Sequence, residues 1–386
     1  MNISFVLLLL LILLLIAEKY AIAKKTRRIK IRILVNGTRG KSTVTRYIAA
    51  AVRRSGYSVM AKITGVVPTV FYPNGERKAI KRLGSPRVQE QFKIIRSADY
   101  HKVDCLVLEC MSIAPELQQL ESRHFKPHVY VITNIKDDHM EKAGKTISEQ
   151  IDSICSAIPF NAKIVTVKSN YLEKIKQTAE RRNSSVTVAD DFGRFITSEL
   201  PNKIYRDNIL LAIAAADLIG LKSEDSLPAA IEEAATHKKS LIDLNDCGKN
   251  VKFIDGFAIN DVPSANDFVN NYLSRYDDLT NLIVILNTRV DRPLRSLAFV
   301  NWLRNYRTPS KIIITGNHGR YTSRALSKGD MAKDKIIFIK GKDILNIKAL
   351  LIRLNLRDTL VAGLGNIGGQ GFSISQILAG DHYQHV

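Results

Sequence analysis

Cysteine is scarce in this 386-residue chain: there are four, and no two stand in a Cys-x-x-Cys pair. No histidine–cysteine cluster has zinc spacing, which excludes a zinc finger or ribbon, and no disulfide framework is expected. Cys105 and Cys110 fall in or beside an apolar run and read as buried free thiols in a reducing compartment. Acidic residues are also short, 37 against 57 lysines and arginines, leaving a formal net charge of +20. Such an excess favours polyanionic partners: nucleotide phosphates, anionic lipid or an acidic polymer. No nucleic-acid partner is expected, because no recognition motif accompanies the charge. Internal repeats and low-complexity tracts are missing apart from one leucine-rich run. What remains is 45% hydrophobic and 24% charged, which excludes wholesale disorder, and the length calls for two domains.

The leucine-rich run, Ile3 to Ala17, is uninterrupted by charge. As a helix it would span roughly 22 Å, slightly short of a hydrocarbon core, and Tyr20 to Ala23 extend it. Ala21-Ile22-Ala23 resembles a signal-peptidase site, so a cleaved signal peptide competes with an uncleaved anchor. No positive charge precedes the run, whereas Lys24, Lys25, Arg27, Arg28, Lys30 and Arg32 crowd behind it. That asymmetry favours a single-pass anchor in the cell membrane, with the following domains cytoplasmic.

From Ile31 onward short apolar runs alternate with helical patterns, the signature of α/β architecture. The predicted strands are 31–35, 58–62, 104–109, 128–133 and 163–167, with helices over 43–55 and 208–218. After about residue 240 the pattern restarts, with strands at 251–255, 281–286, 311–315, 335–339 and 359–362. The expected organisation is an anchor over 1–23, a central domain over 24–240 and a smaller C-terminal α/β domain over 241–386.

Asn36-Gly37-Thr38-Arg39-Gly40-Lys41-Ser42-Thr43 lies between a predicted strand and a predicted helix. Glycines let backbone N–H groups turn inward, the helix N-terminus adds positive potential, and lysine reaches terminal phosphates. Ser42 would offer its hydroxyl to Mg2+. The strict G-x-x-x-x-G-K-[ST] pattern is not met, because Val35 stands where its first glycine belongs. The compressed G-x-x-G-K-[ST] form in this context points to nucleotide binding.

That loop, GTRGKS, resembles the GTNGKT loop of the Mur ligase superfamily. Leu108-Glu109-Cys110-Met111-Ser112 looks like the superfamily's strand-end glutamate, which helps hold Mg2+. Thr133-Asn134-Ile135 followed by Asp137-Asp138-His139 is similar to its TNI…DH segment, whose histidine reaches a second metal. Tyr205-Arg206-Asp207-Asn208-Ile209 resembles the segment whose asparagine approaches the nucleotide. Asp255-Gly-Phe-Ala258, with Asn260 and Pro263, resembles a D-x-Y-A-H-x-P turn, although isoleucine or asparagine stands where histidine is usual. Within the superfamily the chain looks most like the CapB/PgsB family of poly-γ-glutamate (capsule) synthase ligase subunits, over nearly its whole length. The anchored start also leaves no room for the N-terminal substrate domain of peptidoglycan Mur ligases.

The resemblance implies a Mur-ligase-like P-loop central domain with a parallel sheet, using ATP and Mg2+ to activate a glutamate carboxylate and extend poly-γ-glutamate. It implies that Lys41, Glu109 and His139 carry the chemistry, with Ser42, Glu109 and His139 as metal ligands. Asn36, Gly37, Thr38, Arg39, Gly40, Thr43, Asn134, Arg206, Asn208 and Asp255 are its nucleotide-site candidates; Arg292, in a run that follows a predicted strand, is a further candidate by position, with a solvated loop as the alternative. The expected partners are glutamate, poly-γ-glutamate, the membrane and other membrane subunits of a polymer synthase and export complex, with a homo-oligomer a further expectation. A folylpolyglutamate synthase-like ligase and a membrane-attached NTPase switch or assembly subunit are the alternatives. Gly363-x-Gly365-x-x-Gly368 also satisfies a dinucleotide pattern, but too little chain follows for a βαβ unit, and a turn is the better reading. Gly84-Ser-Pro-Arg87 to Gln91 is a candidate acceptor loop.

Overall fold

The computed structural model describes residues 3–65, 67–82, 84, 86–135, 146–195, 203–236, 241–259, 261–306, 309–328 and 333–380. The chain divides into two compact units, Met1–Thr236 and His237–Val386.

The first unit opens with helix α1, Ile3–Arg28, which runs without a break past residue 23. Its first part exposes one apolar side chain after another, Leu7 to Leu15 each about half exposed, whereas Ile22 and Thr26 are buried against the unit. By length and composition it is able to cross a membrane. Strands β1 (Ile31–Asn36), β2 (Val59–Ile63), β5 (Cys105–Glu109), β6 (Val129–Ile132), β7 (Lys163–Thr166) and β8 (Ser185–Val188) are parallel to one another. The antiparallel strands β3 (Thr69–Phe71) and β4 (Arg77–Ala79) complete one edge, in the order β4-β3-β2-β5-β1-β6-β7-β8. β1, β2, β5 and β6 are buried on both faces, as continuous apolar runs in a parallel sheet require.

Helix α2, Lys41–Arg54, covers one sheet face with Val44, Tyr47, Ile48, Ala51 and Val52, spaced three and four apart. Helices α3 (Gln89–Tyr100), α4 (Pro115–Phe125), α5 (Ile147–Ser156) and α6 (Leu172–Glu180) contribute to the core on the other face, together with Ile22 of α1. Helices α7 (Lys203–Asp217) and α8 (Ser223–Thr236) pack beside α2. The alanine-rich helix therefore begins five residues before the predicted start at Asn208, and the β3–β4 hairpin and β8 are additions to the predicted strands.

The second unit holds a six-stranded sheet in the order β13-β12-β11-β14-β10-β9. Its parallel strands are β10 (Gly248–Asp255), β11 (Asn281–Thr288), β12 (Lys311–Gly316), β13 (Ile336–Phe338) and β14 (Leu356–Leu364). The short β9, Leu241–Asp243, is antiparallel at the edge. Helices α9 (Val262–Leu273), α10 (Pro293–Asn305), α11 (Gly319–Ser327), α12 (Ile347–Arg353) and α13 (Gln370–Ala379) flank it. The late glycine run is the turn from β14 into α13.

Candidate nucleotide and metal site

β1 ends at Asn36 and α2 begins at Lys41, so the glycine loop turns at the carboxyl edge of the sheet, where open α/β folds bind ligands. Gly37 has φ +124° and Gly40 φ +80°, values that favour glycine. A Cβ on Gly37 would lie 2.3 Å from Thr133 Oγ1 and 2.9 Å from Asn134 O. On Gly40 it would lie 2.7 Å from Asn208 Oδ1. Asn208, buried in the first half of α7, thus approaches the loop, and Arg206 lies two residues before it on the same helix, half-buried.

Asn36 and Asn134 hold the loop from two sides. The Asn36 side chain donates to Gln118 Oε1 (2.8 Å) and Tyr130 Oη (2.7 Å) and accepts from Gly37 N (2.8 Å). It is directed into the core as a brace. Asn134 Oδ1 accepts from Arg39 N (3.0 Å), its Nδ2 donates to Arg39 O (3.1 Å), and its carbonyl accepts from Thr38 N (2.8 Å). Lys41 Nζ curls back onto Gly37 O (2.7 Å) and Thr38 O (3.2 Å), and Thr43 follows it in the first turn of α2.

Beside the loop, Ser42 Oγ donates to Glu109 Oε2 at 2.7 Å. Glu109 closes β5, is 4% exposed, and accepts Thr64 N at 2.6 Å through the same oxygen. A hydroxyl and a carboxylate are the hard oxygen donors that Mg2+ prefers. The buried Thr133 Oγ1, next to Gly37, has no hydrogen-bond partner among the described residues. A glycine cradle, an unsatisfied polar atom beside it and a Ser–Glu oxygen pair fit a nucleoside triphosphate with a divalent cation. His139, with Asp137 and Asp138, lies outside the described residues, as does Asn260. Among the described residues no cluster of three or more His, Cys, Asp or Glu is gathered for a metal.

Residues 35–194 match the Mur ligase middle domain model, and residues 242–381 match the poly-gamma-glutamate synthase CapB C-terminal domain model. The capsule biosynthesis protein CapB of Bacillus anthracis is 32% identical over 90% of this chain and 76% of its own length. PGA synthase CapB of Bacillus subtilis (strain 168) is 30% identical over 92% of this chain and 91% of its own. The chain belongs to the poly-gamma-glutamate synthase CapB family. In fold, it is similar to a bifunctional folylpolyglutamate synthase/dihydrofolate synthase of Yersinia pestis complexed with AMPPNP and Mn ion. That likeness has a TM-score of 0.70 and 12% identity, over 95% of this chain and 93% of that one.

The C-terminal unit of this CapB-family chain carries the other candidates. Asp255 ends β10; burial pushes its carboxyl pKa up, against hydrogen bonds from Ser375 and from Phe257 N (3.2 Å). Arg292 precedes α10 at its N-cap. At the glycine turn, Asn366 Nδ2 donates to Asn287 O (3.1 Å) and Arg295 Nη1 to Asn366 Oδ1 (2.7 Å). These bonds fix the Gly365-Asn366-Ile367 run as a structured turn.

Sequence reasoning missed what supports Glu109. Thr64 reaches it because β2 pairs with β5, a neighbour that no linear spacing reveals. Gln91 Nε2 donates to Glu109 O (2.9 Å) and to Glu121 Oε2 (2.8 Å), and Gln91 Oε1 accepts from Lys62 Nζ (3.1 Å). Lys62 is fully buried and pairs with Glu90 at 2.7 Å. Burial lowers the Lys62 pKa. Burial also pushes the Glu90 carboxyl up, but Arg82 and Lys62 outweigh it and hold it down at about 2. Gln91 was named only as the last residue of the candidate acceptor loop, and no local signal pointed to this network; the structure places it in α3.

Proposed function

We propose that this chain is an ATP-dependent amide ligase that activates a glutamate carboxylate as an acyl phosphate and extends poly-γ-glutamate at the membrane. The observation that carries the reading is the meeting of Ser42 and Glu109 at 2.7 Å beside a compressed glycine loop, in a chain of the CapB family. Oxide is a poor leaving group, so a carboxylate must first be phosphorylated. Its oxygen takes the γ-phosphoryl group as ADP departs; an amine then attacks the carbonyl carbon and phosphate leaves with that oxygen.

Such a transfer needs positioning and charge neutralisation more than covalent help from the protein. The loop N–H groups and the start of α2 would seat the phosphates, and Lys41 would swing from the Gly37 and Thr38 carbonyls to the terminal phosphate. Ser42 and Glu109 would hold Mg2+, with His139 toward a second ion. Bound there, Mg2+ neutralises developing charge on the phosphoryl oxygens. Asn134 and Asn208 border the loop, and Arg206, Asp255 and Arg292 are assigned as further nucleotide-site candidates.

The half-exposed leucines of α1 and the basic residues behind them support a single-pass anchor with cytoplasmic catalytic units. Burial of Ile22 in the core of the first unit argues against cleavage after Ala23, which would remove it. Further membrane subunits for export, and self-association, belong to the same proposal. The test is phosphate release by the membrane-purified chain with its co-purifying subunits: ATP turnover should require both glutamate and Mg2+. Glutamate-independent turnover without amide product would instead identify an NTPase switch.

A further inference from the structure

We infer that the end of the first unit at which α3 begins, the end that also carries the glycine loop, is turned toward the anionic surface of the membrane that α1 crosses. The inference rests on the anchor reading above and adds an orientation to it. Its evidence is the way α1 continues into the nucleotide unit. Lys25 and Arg28 pair with Asp99 near the carboxyl end of α3, at 2.9 Å and 3.5 Å. Ten residues before Arg28, Glu18 pairs with Arg96, one turn earlier on α3. Tracing α1 back toward its apolar part therefore means tracing α3 back toward its start.

The start of α3 belongs to the candidate site, because Gln91 donates to the Glu109 carbonyl at the end of β5. The other end of α3 meets the beginning of β5, where Asp104 N donates to Ser58 O. α1 also folds back into β1 across two residues, a turn fastened by Arg32 Nη1 on Ile29 O (2.7 Å) and Thr26 O (3.2 Å). The helix rises ~16 Å from Ala17 to Arg28, and β1 returns over roughly 20 Å. The glycine loop thus comes back to about the level at which the apolar run ends.

Charge on this edge fits the same occupant. Arg82 is held on Glu90 at 2.8 Å, which keeps Lys81 near the start of α3. Lys81 and Arg87 are exposed there, Lys93 is exposed one turn further on, and Lys19 lies on α1 at the end of the apolar run. Juxtamembrane cations are attracted to an anionic surface within a Debye length of it.

The four native cysteines are buried, so single surface cysteines can be labelled selectively. Lys93→Cys reports the proposed membrane edge. Arg181→Cys reports the opposite edge, since its neighbour Arg182 accepts from Asn161 N just before β7 begins. The full-length variants, carrying a fluorophore, are reconstituted into equimolar phosphatidylglycerol–phosphatidylcholine vesicles containing a nitroxide-headgroup lipid. Flotation with the vesicles and at least threefold stronger quenching at position 93 than at 181 are expected. Flotation with equal quenching, or stronger quenching at 181, overturns the orientation and leaves the anchor intact. Failure to float overturns the anchor, and the orientation with it.

Discussion

Replacing Gly40 by alanine places a methyl group where the backbone stands at φ +80° and Asn208 Oδ1 would be 2.7 Å away. The left-handed conformation costs an alanine about 1 kcal/mol, and the clash with a buried asparagine adds roughly 1–2 kcal/mol. Gly40→Ala should therefore destabilise the first unit by roughly 2–3 kcal/mol. For a unit of this size that lowers Tm by about 5–10 °C, read by scanning calorimetry of the detergent-solubilised chain. The contact component is removable. Asn208→Ala deletes the clashing atom, so the double variant should recover at least about 1 kcal/mol relative to the sum of the single effects. Gly37→Ala is the control. Its Cβ would meet the backbone atoms Thr133 N and Asn134 O at 2.9 Å, besides Thr133 Oγ1, so Thr133→Ala should not rescue it. Strict additivity of Gly40→Ala with Asn208→Ala, or a loss under about 1 °C, would refute the reasoning.

Lys41→Ala should cut glutamate-dependent phosphate release by at least about 100-fold while circular dichroism and membrane retention stay unchanged. Glu109→Gln should raise the Mg2+ concentration for half-maximal turnover by about tenfold or more, as titration of activity against Mg2+ would read. Glu90, held at about 2, contributes stability that is fully present above the ordinary carboxylate range and is lost as pH falls toward 2. Glu90→Gln should flatten acid unfolding between about pH 4.5 and 2 and cost roughly 3–5 kcal/mol at pH 7, because Lys62 stays buried without its carboxylate; adding Lys62→Met should restore most of it. Burial pushes the thiols of Cys105 and Cys110 up and that of Cys155 up to about 11, so a thiol reagent should modify none of the four cysteines until the chain is unfolded.

The parallel strands were legible because a strand buried on both faces needs a continuous apolar run, as Cys105–Leu108 and Val129–Ile132 provide. The glycine loop was legible because strand, turn and helix are consecutive in the chain. Elements without a buried run escaped: β4 is exposed along its whole length, β8 is only half-buried, and β9 is three residues long. Lys62 reads as the polar end of a strand, yet the fold buries it and matches it with Glu90 from the start of α3. Glu109 was visible as a strand-end carboxylate, whereas Thr64 and Gln91 reach it through sheet pairing and helix packing. Asn36 was named as a nucleotide-site candidate for its place before the loop; the bracing of the loop by its amide, through Gln118 and Tyr130, depends on packing that the local sequence does not display. Ion pairs carried by tertiary contact, such as Glu18–Arg96, left no local trace in the sequence.

The most direct measurement of the central claim follows oxygen. Glutamate labelled with 18O in its carboxylates is supplied with ATP and Mg2+ to the membrane-purified chain and its co-purifying subunits, and the released phosphate and the polymer are analysed by mass spectrometry. An acyl-phosphate ligase passes one labelled oxygen into phosphate for each amide bond formed, and the Lys41→Ala variant forms neither. Phosphate released without label, or amide bonds formed without labelled phosphate, would contradict the account.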